Sequence, residues 1–87
     1  MITYTKGNGT SKRSAIKIIG AHGEFDGIDS EYNLVSLIFK IIKKNWVLLQ
    51  QELYLEDGGR AYDRLIIEDS DGKVSEIWFD VTEFFGK

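Results

Sequence analysis

Residues 46–82 read WVLLQQELYLEDGGRAYDRLIIEDSDGKVSEIWFDVT, and the spacing of the apolar residues in this stretch decides the fold. Apolar and polar side chains alternate with a period of two. Two turn clusters, Glu56-Asp57-Gly58-Gly59 and Asp69-Ser70-Asp71-Gly72, divide the run into strands at about 46–55, 60–68 and 73–82. Three strands joined by tight turns form an antiparallel meander. With three-residue loops and left-handed Gly59 and Gly72, counting outward from each turn sets the register. One face then carries Val47, Leu49, Leu53 and Leu55, opposite Ala61, Leu65 and Ile67, which in turn oppose Ile77, Phe79 and Val81. The other face sets Glu52 beside Arg64, Arg64 beside Trp78, Tyr54 beside Tyr62 and Tyr62 beside Asp80. A slip of one residue would scramble all of these pairs.

Upstream of the meander the period changes. Leu34, Val35, Ile38, Ile41 and Ile42 recur three and four residues apart, with Leu37 and Phe39 widening the stripe, as an amphipathic helix requires. Asp29 or Ser30 supplies a cap, Glu31 sits in the first turn, and Lys40, Lys43 and Lys44 crowd the last. That charge order suits the helix dipole and predicts a helix at about 29–43 with Asn45 as its stop. The segment Gly20 to Gly27 reads as loop. Before it, Ile16, Ile18 and Ile19 predict a strand within Ala15–Ala21, and Ile2 and Tyr4 a short edge strand within Met1–Lys6. The expected fold is α+β: one amphipathic helix on a mainly antiparallel sheet, with a C-terminal three-stranded meander and one or two N-terminal strands. The 87 residues fit a single domain, 1–87, with one core. Phe84 or Phe85 is expected to close one end of it.

Composition removes several classes of function. Without cysteine there is no disulfide, thiolate zinc site or cysteine nucleophile. A net charge of −3 with scattered Lys and Arg argues against nucleic acid as a partner. Leu34 to Ile42, the longest apolar-rich stretch, is too short to span a membrane, and Met1 to Gly9 carry no secretory pattern. The expected location is the cytoplasm, where Asn8-Gly9-Thr10 has no meaning as a glycosylation site.

Metal and phosphate chemistry find little footing. His22, Glu24, Asp26, Asp29 and Glu31 form the densest group of candidate ligands, but one histidine without a thiol does not make a zinc site, and the calcium-loop spacing is missing. The loop from Gly7 to Lys12 lacks the P-loop spacing. No metal or cofactor is expected. Gln51 and Asp63 stand out, because the register points both toward the helix, and a buried carboxylate needs partners. Loop amides, His22, Lys12 or Arg13 are the expected ones. The outer face carries Trp46, Tyr54, Tyr62, Arg64 and Trp78, residue types enriched where proteins bind one another.

The ending Ile77-Trp78-Phe79-Asp80-Val81-Thr82-Glu83-Phe84-Phe85-Gly86-Lys87, with Gly59-Arg60-Ala61-Tyr62-Asp63 and Gly27-Ile28-Asp29-Ser30-Glu31-Tyr32, resembles a group of short uncharacterised bacterial proteins. The resemblance spans most of the chain. It implies a bacterial source and brings no activity, cofactor or site residue with it.

The function expected from the residues is that of a non-enzymatic protein-interaction module, pairing with a protein partner or with itself through its outer sheet face or an edge strand. One alternative is an acidic inhibitor or immunity-type protein that binds a basic partner. Another is a small enzyme or ligand-binding protein using Asp63 and His22, with Glu24 nearby.

Overall fold

The computed structural model describes residues 2–5 and 7–86. Met1, Lys6 and Lys87, which belong to the expected first strand and to the C-terminal segment, and the Glu24 side chain lie outside the described set. The chain runs β1 (Thr3–Thr5), β2 (Ile16–Ile19), α1 (Glu24–Ile41), β3 (Trp46–Glu56), β4 (Arg60–Asp69) and β5 (Val74–Asp80). These build one five-stranded sheet in the order β1-β2-β5-β4-β3, with α1 on one face. All neighbours are antiparallel except β2 and β5, which run parallel at Ile16–Phe79 and Lys17–Asp80. The fold is therefore α+β with a mixed sheet, and its C-terminal part is the meander that the alternating pattern predicts. No described helix is long and apolar enough to cross a membrane.

The β4–β5 register is the expected one, with Arg64 opposite Trp78, Asp63 opposite Phe79 and Tyr62 opposite Asp80. The β3–β4 register is also as expected near the turn, with Glu52 on Arg64, Leu53 on Asp63 and Tyr54 on Tyr62. It then breaks between Leu48 and Gln50, where Leu49 is an extra residue. A bulge of this kind reverses the facing of everything beyond it. Val47 turns to the outer face opposite Glu68, and Leu48 turns to the helix side opposite Ile67. Trp46, expected on the outer aromatic face, instead stacks on Tyr32 and Phe39 of the helix, with ring centroids 6.3 Å apart in both cases.

The helix begins five residues before its expected start. Gly23 is its N-cap residue, and Asp26 reaches back to accept a 3.0 Å bond from the His22 backbone N–H, which satisfies one donor at the helix entrance. Asp29 and Ser30 thus lie inside the helix, and the Ser30 hydroxyl donates to the Asp26 carbonyl. Gly27, which reads as a loop residue in the sequence, is helical because the Phe84 ring lies against it. A Cβ built on Gly27 would stand 2.1 Å from Phe84 Cε1.

The helix ends at Ile41, and the residue that turns the chain is Lys43 rather than Asn45. Lys43 takes φ 59°, its N–H donates to the Lys40 carbonyl, and the Lys44 N–H donates to the Phe39 carbonyl. These are the paired bonds of a Schellman termination, which normally places glycine at the left-handed position. Lys43→Gly is accordingly expected to raise stability by about 1 kcal/mol in urea denaturation, since the left-handed penalty of a side-chain-bearing residue is removed. Unchanged or lower stability would show that the Lys43 side chain offsets that strain.

The core is built from Ile16 and Ile18 of β2, Val35 and Phe39 of α1, Ala61, Leu65 and Ile67 of β4, Phe79 of β5, and Val81 and Phe84 beyond it. Phe84 closes one end, as its position in the sequence suggests. The helix covers the middle of the sheet, and no residue of β3 is buried. This uneven cover positions the site described next.

Candidate functional site

Asp63 stands on β4 and points under the helix, where it is 6% exposed. Its contacts include side chains beyond those the sequence suggested. Gln51 on β3 donates through Nε2 to Asp63 Oδ2 at a long 3.4 Å, and the Tyr32 hydroxyl donates to Gln51 Oε1 at 2.8 Å. The third member is Glu31, which reads as a first-turn surface acid in the sequence. Because α1 starts at Glu24, Glu31 falls in the interior of the helix on its sheet side and is only 1% exposed.

Neither Glu31 oxygen accepts a hydrogen bond from any described donor. The neighbour is the Asp63 carboxyl, and two carboxyl groups bond only through a proton held between them. Burial, the Asp63 charge and that bond together push Glu31 up from its ordinary 4.5 to about 10. Burial and then the charges of Glu31 and Asp63 raise the Tyr32 phenol as well.

Of the two acids, Asp63 lines a cavity at the surface. A cavity of about 160 Å³ reaches Asp63 and Gln51 between walls of Ile28, Leu53, Val81, Phe84 and Phe85. Its size admits an alkyl chain with a polar head and falls below the usual range of about 300–1,000 Å³ for small-molecule sites. On its β3 side Leu53 is 47% exposed and Leu55 63%, with Leu48 and Leu49 further along the same strand also exposed. On its helix side Phe25 is 89% exposed, three residues before Ile28 and therefore on the same helix face. The pocket is thus flanked by apolar surface that the helix does not cover.

His22 is exposed just before the helix, where its backbone N–H donates to Asp26. Comparison with family models, with curated proteins and with solved structures finds no match. The site must therefore be read from its own chemistry.

The outer face is organised by Arg64. It bonds Glu52 through Nη1 at 2.7 Å and Glu76 through Nη2 at 2.6 Å, and lies over Trp78 at 5.7 Å. Trp78 Nε1 donates to Glu76 and the Tyr54 hydroxyl to Glu52. Trp78 and Tyr62 are buried with Ala15 in a second small cluster, and Tyr54 packs against it. The Trp78 backbone N–H donates to the Gly9 carbonyl at 2.8 Å. The N-terminal loop therefore occupies much of the aromatic surface that the sequence offers to a partner. It turns tightly at Gly7, where a Cβ would stand 1.9 Å from the Ser14 carbonyl oxygen.

Two further hollows gather basic side chains. The larger, about 580 Å³, lies by the helix C-terminus between Lys40, Lys43 and Trp46, where Lys44 is held by Asp71 at 2.7 Å. A cleft of about 200 Å³ gathers Lys12, Arg13, Lys17 and Arg60 around Tyr62 and Asp80. These bases look scattered in the sequence, and the β1–β2 connection brings them together. Lys12 is closed on Glu56 at 2.6 Å and Arg60 Nη1 donates to the Tyr62 hydroxyl, so part of that charge is already used. Among the described residues no three His, Cys, Asp or Glu side chains are grouped to hold a metal ion.

Proposed function

We propose that this chain is a protein-interaction module that takes a segment of a partner protein as an added strand on β3. The observation that carries this reading is β3 itself, eleven residues at the sheet edge with Leu48, Leu49, Leu53 and Leu55 exposed. An edge strand offers a row of unpaired backbone groups, and natural edges are usually blunted by lysine, proline or brevity. β3 contains no Lys, Arg, Pro or Gly. Its single irregularity is the bulge at Leu49, which leaves Gln50 to Glu56 in regular register with β4.

Charge favours a basic partner over a second copy. The Glu52–Arg64–Glu76 group carries one surplus negative charge, and β3 paired with itself would bring glutamates together. This agrees with the acidic, inhibitor-like alternative in partner sign. The enzymatic alternative has less support, since His22 is exposed whereas Asp63 is buried beside Glu31 and Gln51.

Selection of a random peptide library on the immobilised chain, with the Leu53→Lys variant as counter-target, tests the proposal. Enriched peptides are expected to alternate apolar with basic or polar residues and to slow hydrogen exchange of β3 amides. Enrichment that Leu53→Lys leaves intact, or protection mapping elsewhere, would sink the strand-addition reading. A solution mass of twice 9.9 kDa that Leu53→Lys halves would replace the basic partner with a second copy.

A further inference from the structure

We infer that the cleft between Arg13, Lys17 and Arg60 binds a phosphate dianion, either free or as the monoester of a small molecule. The cleft lies across the sheet from the helix and stands apart from the strand-addition reading.

Strand register builds it. Lys17 on β2 stands opposite Asp80 on β5, and Asp80 opposite Tyr62 on β4. Lys17 falls between Ile16 and Ile18, which both enter the core under the helix, so its own side chain points to the outer face. Arg60 precedes Tyr62 by two residues on the same strand and shares that face. Lys12 and Arg13 arrive from the β1–β2 connection, which is closed on itself. There the Gly9 N–H donates to the Ser14 carbonyl at 2.8 Å, the Ser14 N–H to the Ser11 carbonyl at 3.1 Å and the Ala15 N–H to the Lys12 carbonyl at 3.2 Å. Four of the chain's 11 Lys and Arg residues thus meet around one space of about 200 Å³, in a protein whose net charge is −3. A cleft lined by one sign of charge focuses its field and concentrates ions of the other sign.

The carboxylates at hand leave much of this charge unmatched. Glu56 holds Lys12 at 2.6 Å, and Asp80 Oδ1 accepts from the Thr82 N–H at 3.0 Å and hydroxyl at 2.6 Å. Arg60 directs one of its five N–H donors to the Tyr62 hydroxyl, at a long 3.3 Å. Arg13 and Lys17 enter no ion pair with a described residue. Four bases against Glu56 and Asp80 leave two positive charges, the complement of a phosphomonoester, which carries about −1.5 to −2 at pH 7. Two guanidinium groups offer the paired N–H donors that phosphate oxygens accept, and lysine adds a point charge. Beyond its charged residues the cleft is lined by Ala15 and Tyr62, so it has the room and the chemistry to read a phosphate group and little else. Side chains do the recognising, and the spacing of a P-loop is not required.

The test is an amide NMR titration of the native chain at constant ionic strength with methyl phosphate, inorganic phosphate and the singly charged dimethyl phosphate. Methyl phosphate is expected to give saturable shifts at Lys12, Arg13, Ala15, Lys17 and Arg60, and to bind at least about tenfold tighter than dimethyl phosphate. Arg13→Gln and Lys17→Gln should each weaken it about tenfold with the rest of the spectrum unchanged, whereas Lys40→Gln on the helix should leave it unaltered. Within that result, tighter binding of inorganic phosphate would support the site with free phosphate as its ligand, and the reverse order would support it with an organic monoester. Shifts that never saturate, equal affinity for dimethyl phosphate, or the same loss in Lys40→Gln would overturn it. Binding of an oligothymidylate by a chain that ignores methyl phosphate would overturn it in favour of nucleic acid.

Discussion

Gly27→Ala is expected to cost about 3 kcal/mol in the native background and to cost nothing once Phe84 has been replaced by alanine. The new methyl would stand 2.1 Å from Cε1 and 2.3 Å from Cζ of Phe84, so the ring must leave its seat or the helix must shift. Phe84 is buried against the core, and overpacking such a site costs about 1–3 kcal/mol. Phe84→Ala alone should cost about 3–5 kcal/mol through lost burial and a cavity. In that shortened background the obstacle is gone, and alanine is about 1 kcal/mol better than glycine inside a helix. The sign of the Gly27→Ala effect should therefore reverse. A double-mutant cycle in urea gives the coupling, and equal costs in both backgrounds would show that Gly27 serves something other than the Phe84 seat.

That pair also marks how far the sequence could be read. Most of the fold was legible: the alternating runs, the turn glycines and the apolar helical stripe are local signals, and they located the meander, its turns and the helix. Gly59 and Gly72 both have positive φ, at 81°, which is the conformation the register count assumed. The helix start was not legible, because glycine reads as a breaker until a distant phenylalanine gives it a reason to be small. The same error concealed Glu31. Placed in a first turn it looks like a solvated acid, whereas seven residues into a helix that begins at Glu24 it faces the sheet. The bulge at Leu49 carries no glycine to announce it, and through it Trp46 moved from the outer face to the helix side. Asp63 and Gln51 were legible as polar residues aimed at the core. The partner of Asp63 was not, since it depended on Glu31.

Glu31→Gln is expected to stabilise the chain by about 2 kcal/mol at pH 8, equivalent to about 10 °C in Tm, and to have little effect at pH 4. Unfolded, Glu31 gives up its proton above its ordinary 4.5; folded, it keeps the proton up to about 10. Between these limits the native state binds more protons than the unfolded state, so stability falls as pH rises, by at most about 1.4 kcal/mol per pH unit. Glutamine fills nearly the same volume, carries no proton to lose, and offers an N–H to the Asp63 carboxylate, which turns a proton-dependent contact into a permanent one. The opposite slope belongs to Glu52 and Glu76. Tyr54 and Arg64 hold Glu52 below its ordinary value, and Trp78 and Arg64 do the same for Glu76. Their contribution is present above about 4.5 and is lost as the pH drops through their lowered values. The native chain should therefore be most stable near pH 5. Glu31→Gln should extend that maximum into a plateau through neutral pH, and Tm curves from pH 4 to 9 measure the difference. Parallel curves would mean that Glu31 is already ionised at neutral pH and that the cost of its burial is met in another way. A rising gap between them would show that the native fold retains a destabilising acid pair at neutral pH.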